Sequence, residues 1–181
     1  YVGLPLALTF AQEGFRVVGF DVDADKAAQL NAGASYIDDV PNEDVAHAVS
    51  SGRLSATTDM GQLKEPDVIC ICVPTPLRKT RDPDMSYITQ AVEAIAKVLR
   101  AGQLVILEST TYPGTTEEFI APTLTAKGLI LGENLFLGAS PERVDPGQGR
   151  WTIKNTPKVV GGVTETCREL SAALYAAAVD T

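Results

Sequence analysis

The sequence predicts an α/β protein with a Rossmann-like, doubly wound, mainly parallel sheet, and three observations carry that prediction. Short apolar runs alternate with segments of helical spacing along the whole chain, the order that parallel strands joined by crossover helices require. The opening Tyr1-Val2-Gly3-Leu4-Pro5-Leu6-Ala7 reads as the end of a Gly-x-Gly-x-x-Gly turn leading into a helix, with Gly3 as the third glycine. A strand then ends in Asp21, 18 positions after Gly3. Such a turn puts the first strand and the first two glycines upstream of Tyr1, so the chain is expected to be a fragment.

The elements follow in order. A helix over 4–13 is ended by Gly14, a strand over 16–21 follows, and a helix over 25–32 is ended by Gly33. A helix over 42–51 has Asn42 as N-cap after Pro41. A short strand covers 54–57. The continuous apolar run 67–73 marks a strand covered on both faces. Residues 74–84, rich in proline and basic side chains, form a loop. A helix over 86–100 stops at Gly102, and 104–107 is a buried strand. Thr115 or Thr116 caps a helix running to Lys127, broken by Gly128. A strand over 135–139, a loop-rich stretch over 141–157, a strand over 158–160 and a helix over 165–178 complete the series.

Composition sets the outer limits. The 181 residues suffice for one domain with a core. A net charge of −8 argues against generic binding to nucleic acid or acidic membranes. No apolar run approaches the roughly 20 residues needed to span a bilayer. Three cysteines, Cys70, Cys72 and Cys167, are the sparse count of reduced thiols in a cytoplasmic protein. Cys70 and Cys72 alternate on one predicted strand and read as small buried hydrophobes; two thiols without a neighbouring histidine make a poor metal site. His47 reads as a solvated helix residue.

In doubly wound sheets ligands bind at the carboxyl ends of the strands, where every motif of this chain falls. The turn at Gly3 and the helix start after it suit a pyrophosphate. A carboxylate at Asp21 would accept from adenosine ribose hydroxyls and repel a 2′-phosphate, which favours NAD over NADP. Lys26, one turn on, would reach the same ribose or a phosphate. The plain alternatives are helix–strand packing for Gly3, an N-cap for Asp21 and a solvated face for Lys26.

Three later segments are more specific: Cys70-Ile71-Cys72-Val73-Pro74-Thr75-Pro76-Leu77, Glu108-Ser109-Thr110-Thr111-Tyr112-Pro113-Gly114, and Ser140-Pro141-Glu142-Arg143-Val144-Asp145-Pro146-Gly147. Together with the opening turn, they resemble the UDP-glucose/GDP-mannose (nucleotide-sugar) dehydrogenase family over essentially the whole chain. The resemblance implies an enzyme that oxidises the C6 hydroxyl of a nucleotide-sugar to a carboxylate with two NAD. It implies that Val2, Gly3, Asp21 and Lys26 hold the adenosine and pyrophosphate, and that Thr75 contacts the cofactor. Thr110 would stand near the nicotinamide and hold the catalytic water. Glu142 would act near C6 as acid–base or water-orienting group, with Arg143 binding substrate. Taken singly, Thr75 and Thr110 read equally as hydroxyls satisfying loop backbone, and Glu142 as a surface partner of Arg143 or Lys154.

Where UDP-glucose enzymes continue Ser-Pro-Glu with Phe-Leu-Arg-Glu, this chain has Arg143 to Pro146. That departure, with Pro74 to Leu77, resembles the branch acting on UDP-N-acetylhexosamines, and within it the UDP-N-acetylglucosamine 6-dehydrogenases; UDP-N-acetylmannosamine and UDP-glucose are the alternatives. The family's nucleophilic cysteine, its central helix and its sugar-nucleotide domain match nothing in residues 1–181. This piece is therefore expected to be the NAD-binding part of a homo-oligomeric cytoplasmic enzyme, inactive alone. Competing readings are another two-domain NAD dehydrogenase and a non-catalytic NAD-sensing module. The basic cluster Arg78-Lys79-Thr80-Arg81 reads as a solvated loop, and Trp151 as a packer of the preceding glycine-rich loop or an interface residue.

Overall fold

The computed structural model describes residues 1–79, 82–142 and 153–179. They form two compact units. The first comprises Tyr1–Met60 with residues 153–157 and 177–179; the second comprises Gly61–Glu142 with Lys158–Ala176.

The first unit opens with helix α1 (Gly3–Gln12), strand β1 (Val17–Phe20), helices α2 (Ala24–Asn31) and α3 (Asn42–Ser50), and strand β2 (Leu54–Thr57). β1 and β2 pair in parallel, Val17 opposite Leu54 and Phe20 opposite Thr57. Its core takes Leu4, Leu8 and Ala11 from α1, Leu30 from α2, Val45 and Ala48 from α3 and Leu54 from β2, each helix burying one stripe. Asn31 ties α2 to β2 with two 2.8 Å hydrogen bonds, donating to the Ala56 carbonyl and accepting from its N–H. Asn42 does not cap α3. Pro41 occupies the cap position, and Asn42 Oδ1 instead accepts the Ser35 N–H at 2.7 Å.

The second unit contains strand β3 (Val68–Ile71), helix α4 (Ser86–Val98), strand β4 (Gln103–Leu107), a π-helical turn (Thr115–Ile120) running into helix α5 (Ala121–Thr125), strands β5 (Leu135–Ala139) and β6 (Gly161–Gly162), and helix α6 (Glu165–Ala176). The sheet order is β3-β4-β5-β6. The first three strands are parallel, Ile71 opposite Leu107 and Leu107 opposite Ala139. All five residues of β4 are buried, as a strand with neighbours on both edges and layers on both faces should be. β3, the outer strand of this sheet, instead alternates half-buried and buried residues, not the two-sided burial its apolar run predicts.

Three boundaries differ from the sequence expectation for identifiable reasons. α4 stops at Val98 because Leu99 turns extended, and Arg100 reaches away to the Lys64 and Glu65 carbonyls and to Asp67. Neither Thr115 nor Thr116 caps the helix after it. Gly114 holds that position with φ +89°, a conformation that favours glycine, and the Thr115 hydroxyl donates back to the Tyr112 carbonyl at 2.7 Å. Residues 158–160 lie outside the ladder. The last strand is β6, and it runs antiparallel to β5, Gly138 opposite Gly162. A side chain at Gly162 would fall inside the Arg168 backbone, so glycine lets α6 pack on this strand. Among the described residues, no helix is long and apolar enough to cross a membrane.

Candidate functional site

The residues singled out for the adenosine end of the cofactor lie in the first unit. α1 begins at Gly3 with Val2 in the cap position; no side chain caps it, and its first turn holds no acid. Its leading N–H groups and positive dipole end are left for an anion. Asp21 follows directly on β1, its side chain 37% exposed. Asp21 does not cap α2: Asp23 does, accepting from the Asp25 and Lys26 N–H groups. Asp21 Oδ1 accepts the Asp23 N–H at 3.0 Å, which fixes the carboxylate and leaves Oδ2 turned toward Lys26 Nζ at 3.9 Å. Lys26 is also 3.9 Å from Asp23 and 5.8 Å from the Tyr36 ring centroid. A fixed, accessible carboxylate after the first strand and an uncapped helix start fit the adenosine ribose and phosphates of a dinucleotide.

The second unit carries a denser arrangement, built at the carboxyl ends of β3, β4 and β5. Glu108 follows the last residue of β4, and its N–H donates to the Ile71 carbonyl at 3.0 Å. Ser140 follows β5 and donates its N–H to Leu107 at 2.9 Å, and the Glu142 N–H donates to the Glu108 carbonyl at 3.3 Å. The two glutamates are thus pinned side by side by backbone. Lys158 enters between them. Its Nζ is 2.8 Å from Glu108 Oε2 and 3.4 Å from Glu142 Oε2, with side-chain exposures of 5% for Lys158, 0% for Glu108 and 11% for Glu142. Tyr175 on α6 donates its hydroxyl to the other Glu108 oxygen, Oε1, and its ring lies 5.0 Å from the ammonium.

Electrostatics follow from that burial. Removal from water pushes the Glu108 carboxyl above its ordinary value, against the pull of Lys158 and of the Tyr175 hydroxyl. Burial first, then the Cys70 and Glu108 charges, pushes the Tyr175 phenol up as well, so it stays a hydrogen-bond donor. Cys70 and Cys72 border the same cluster and are half-buried. Burial, reinforced by Glu108, pushes the Cys70 thiol up to about 12. The Cys72 thiol is also raised, by burial and then by Cys70. The thiolate is the nucleophilic form, so neither thiol is primed to attack. Cys167 is buried on α6, its sulfur accepting the Leu137 N–H at 3.3 Å, a packing role. His47 is exposed on α3.

The other singled-out residues are placed more loosely. Thr75, half-buried, and Thr110, exposed, follow β3 and β4, while the neighbouring Ser109 hydroxyl is committed to the Val73 carbonyl at 2.6 Å. Lys154, read from sequence as a surface partner of Glu142, bonds Glu13 at 2.7 Å. Arg143 and Trp151 lie outside the described residues, as do Thr80 and Arg81 of the basic cluster. Arg78 is tied to Asp84 at 2.9 Å beneath the Leu77–Pro83 bridge. Sequence reasoning gave Glu108, Lys158 and Tyr175 no role. The available signal was a carboxylate directly after a fully apolar run, which demands a buried cation; the run itself does not say which one.

The family model described as "UDP-glucose/GDP-mannose dehydrogenase family, NAD binding domain" matches residues 1–179. The chain is 40% identical over 176 residues to the UDP-N-acetyl-D-glucosamine 6-dehydrogenase of Pseudomonas aeruginosa, covering 97% of this chain and 41% of that protein. Among solved structures, the UDP-D-ManNAc dehydrogenase of Pyrococcus horikoshii superposes with a TM-score of 0.93 at 36% identity, covering 99% of this chain and 43% of that one. The GDP-mannose dehydrogenase of Pseudomonas aeruginosa superposes at 0.91 and 28% identity over 99% and 43%. The chain therefore spans about two-fifths of the length of these relatives. It belongs to the UDP-glucose/GDP-mannose dehydrogenase family, as the NAD-binding domain of that family.

Proposed function

We propose that the intact protein containing this domain is an NAD-dependent UDP-sugar 6-dehydrogenase that oxidises the C6 hydroxyl of UDP-N-acetylglucosamine to a carboxylate with two NAD. Residues 1–181 are its NAD-binding portion, with the sugar-nucleotide domain elsewhere in a homo-oligomeric cytoplasmic enzyme. Val2, Gly3, Asp21 and Lys26 hold the adenosine and pyrophosphate, and Thr75 and Thr110 contact the cofactor further along. NAD, when bound, accepts the hydride. Glu142 stands by the reacting carbon and handles the alcohol proton or the attacking water, with Arg143 binding the substrate.

The observation that carries this reading is the Glu142 carboxylate, held at the strand ends by a buried lysine. Support for the N-acetylhexosamine comes from the P. aeruginosa UDP-N-acetyl-D-glucosamine enzyme; the P. horikoshii UDP-D-ManNAc enzyme favours UDP-N-acetylmannosamine as the second reading. The test is NADH formation by the intact protein with UDP-N-acetylglucosamine, UDP-N-acetylmannosamine, UDP-glucose and GDP-mannose in parallel. Two NADH per sugar with the first alone supports the proposal. The same stoichiometry with another sugar moves the assignment to that sugar. No NADH from folded, NAD-binding protein refutes it and favours a non-catalytic NAD sensor.

A further inference from the structure

The lysine that holds Glu142 has no part of its own in the chemistry assigned so far. We propose that Lys158 is a positioning residue acting through Glu142: anchored by Glu108 and Tyr175, it fixes the Glu142 carboxylate in place and balances its charge when substrate displaces water. This inference rests on the function proposed above for Glu142.

The geometry separates Lys158 from an ordinary ion pair. Its ammonium meets two carboxylates from two different strand ends, Glu108 at 2.8 Å and Glu142 at 3.4 Å. Glu108 is the anchor. It is fully buried, one oxygen on Lys158 and the other on the Tyr175 hydroxyl, so the lysine is gripped from the core side. Glu142 is the partly accessible member, 11% exposed, just after the carboxyl end of β5, the side on which ligands of such sheets bind. Among the described residues, the groups facing the lysine are Glu108 after β4, Glu142 after β5 and Tyr175 on α6, with Cys70 in β3 and Cys72 just beyond it nearby. Both thiols have raised values, so they stay protonated and add no charge beside Lys158. The lysine places a positive charge between the two carboxylates, which would otherwise repel each other across a water-poor site. A carboxylate that must orient a water or an alcohol proton needs a fixed position, since a displacement of about 1 Å can cost about 100-fold in rate.

The experiment uses the intact protein and the variants Lys158→Gln, Lys158→Arg and Glu142→Gln. In Lys158→Gln, kcat is expected to fall about 10- to 100-fold, with KM for the UDP-sugar and affinity for NAD little changed. The acidic limb of the kcat–pH profile should move upward by about one unit or more. Lys158→Arg, which keeps the charge, should recover most of the rate. In a Glu142→Gln background, Lys158→Gln should cost little more, because the two act through one group. Multiplicative losses in the double variant, or no recovery with arginine, overturn the proposal. If Lys158→Gln does not fold, Glu108→Gln replaces it: kcat should fall at unchanged KM, and an unchanged kcat overturns the proposal. If the wild type makes no NADH with any UDP-sugar, the proposed function fails by itself. Crystal structures of wild type and Lys158→Gln then decide the lysine's role. Displacement of the Glu142 carboxylate by more than about 1 Å over an unmoved β5 supports positioning; an unmoved carboxylate overturns it.

Discussion

Replacing Lys158 with methionine should destabilise the second unit, and by an amount that depends on pH in a definite direction. Methionine keeps much of the apolar stem and removes the ammonium, which leaves Glu108 at 0% exposure and Glu142 at 11% without their shared cation. Removing one partner of a buried pair costs about 3–5 kcal/mol. Two features favour the lower end, about 3 kcal/mol at pH 8: Glu108 retains the Tyr175 hydroxyl, and Glu142 retains some access to water. Burial already holds the Glu108 carboxyl above its ordinary value while Lys158 opposes that rise, so the variant raises it further. An acid whose value is raised by folding binds its proton more tightly in the folded state, and ionising it lowers stability. The loss is therefore fully expressed above the raised value and shrinks as pH falls into the ordinary carboxylate range. Native-state amide exchange at Val105 and Ile106, buried in the centre of β4, reads the opening free energy of this unit. A loss under about 1 kcal/mol at pH 8, the size of a single ordinary hydrogen bond, or one that grows on acidification, would refute the reasoning.

The remaining expectations concern other bonds. Tyr175→Phe removes the donor to Glu108 Oε1 and should cost about 1–3 kcal/mol by the same exchange measurement, while carbon-13 titration shows the Glu108 carboxyl moving further up. The Arg78 guanidinium beside Asp84 holds its carboxyl down at about 2. The pair's contribution is thus present above the ordinary aspartate range and is lost as pH falls through about 2. In Arg78→Ala the Asp84 titration should return toward its ordinary value, and an unchanged midpoint would show the pair to be unimportant. Asp21→Asn should weaken NAD binding roughly tenfold or more, the loss of hydrogen bonds to a charged acceptor; calorimetry of the intact protein with NAD and NADP checks it, and equal NAD affinity removes Asp21 from the site. Cys70, pushed up to about 12, should react with iodoacetamide at pH 7.5 far more slowly than it does after unfolding, as mass spectrometry of the alkylated chain would record.

The fold was legible because its signals are local. β2 and β5 fall where their apolar runs predict, and Gly14, Gly33 and Gly128 mark the helix ends with positive φ. Errors occur where a distant partner overrides a local preference. Asn42 is a good capping residue, yet it is drawn off by Ser35, seven residues back. Arg100 would extend α4, yet it is pulled to carbonyls more than thirty residues away. Thr115 would cap, yet Gly114 takes that position and the hydroxyl bonds locally. The site divides in the same way. Asp21 and Glu142 stand next to strand ends in recognisable motifs, so spacing and resemblance reach them.

Lys158 was hidden by the rule that β-branched residues form strands. Val159 and Val160 read as strand residues, and the sequence places Lys158 with them in a strand over 158–160. What decides the outcome is Glu108, fifty residues earlier. A carboxylate wedged after a strand as buried as β4 cannot remain charged alone, and a cation from another part of the unit must meet it. Residues 158–160 lie outside the ladder, and β6 holds two glycines. One of those, Gly162, is also where α6 comes closest, and α6 brings the Tyr175 hydroxyl to the remaining oxygen of Glu108. Lys158 supplies the charge opposite Glu108, and the Tyr175 hydroxyl satisfies its remaining oxygen. On this argument an uncharged residue at position 108 would release the constraint, and residues 158–160 would then regain the strand pairing their sequence favours. Amide exchange in a Glu108→Leu variant reads this directly: new protection at Val159 and Val160 supports the coupling, and unchanged exchange there breaks it.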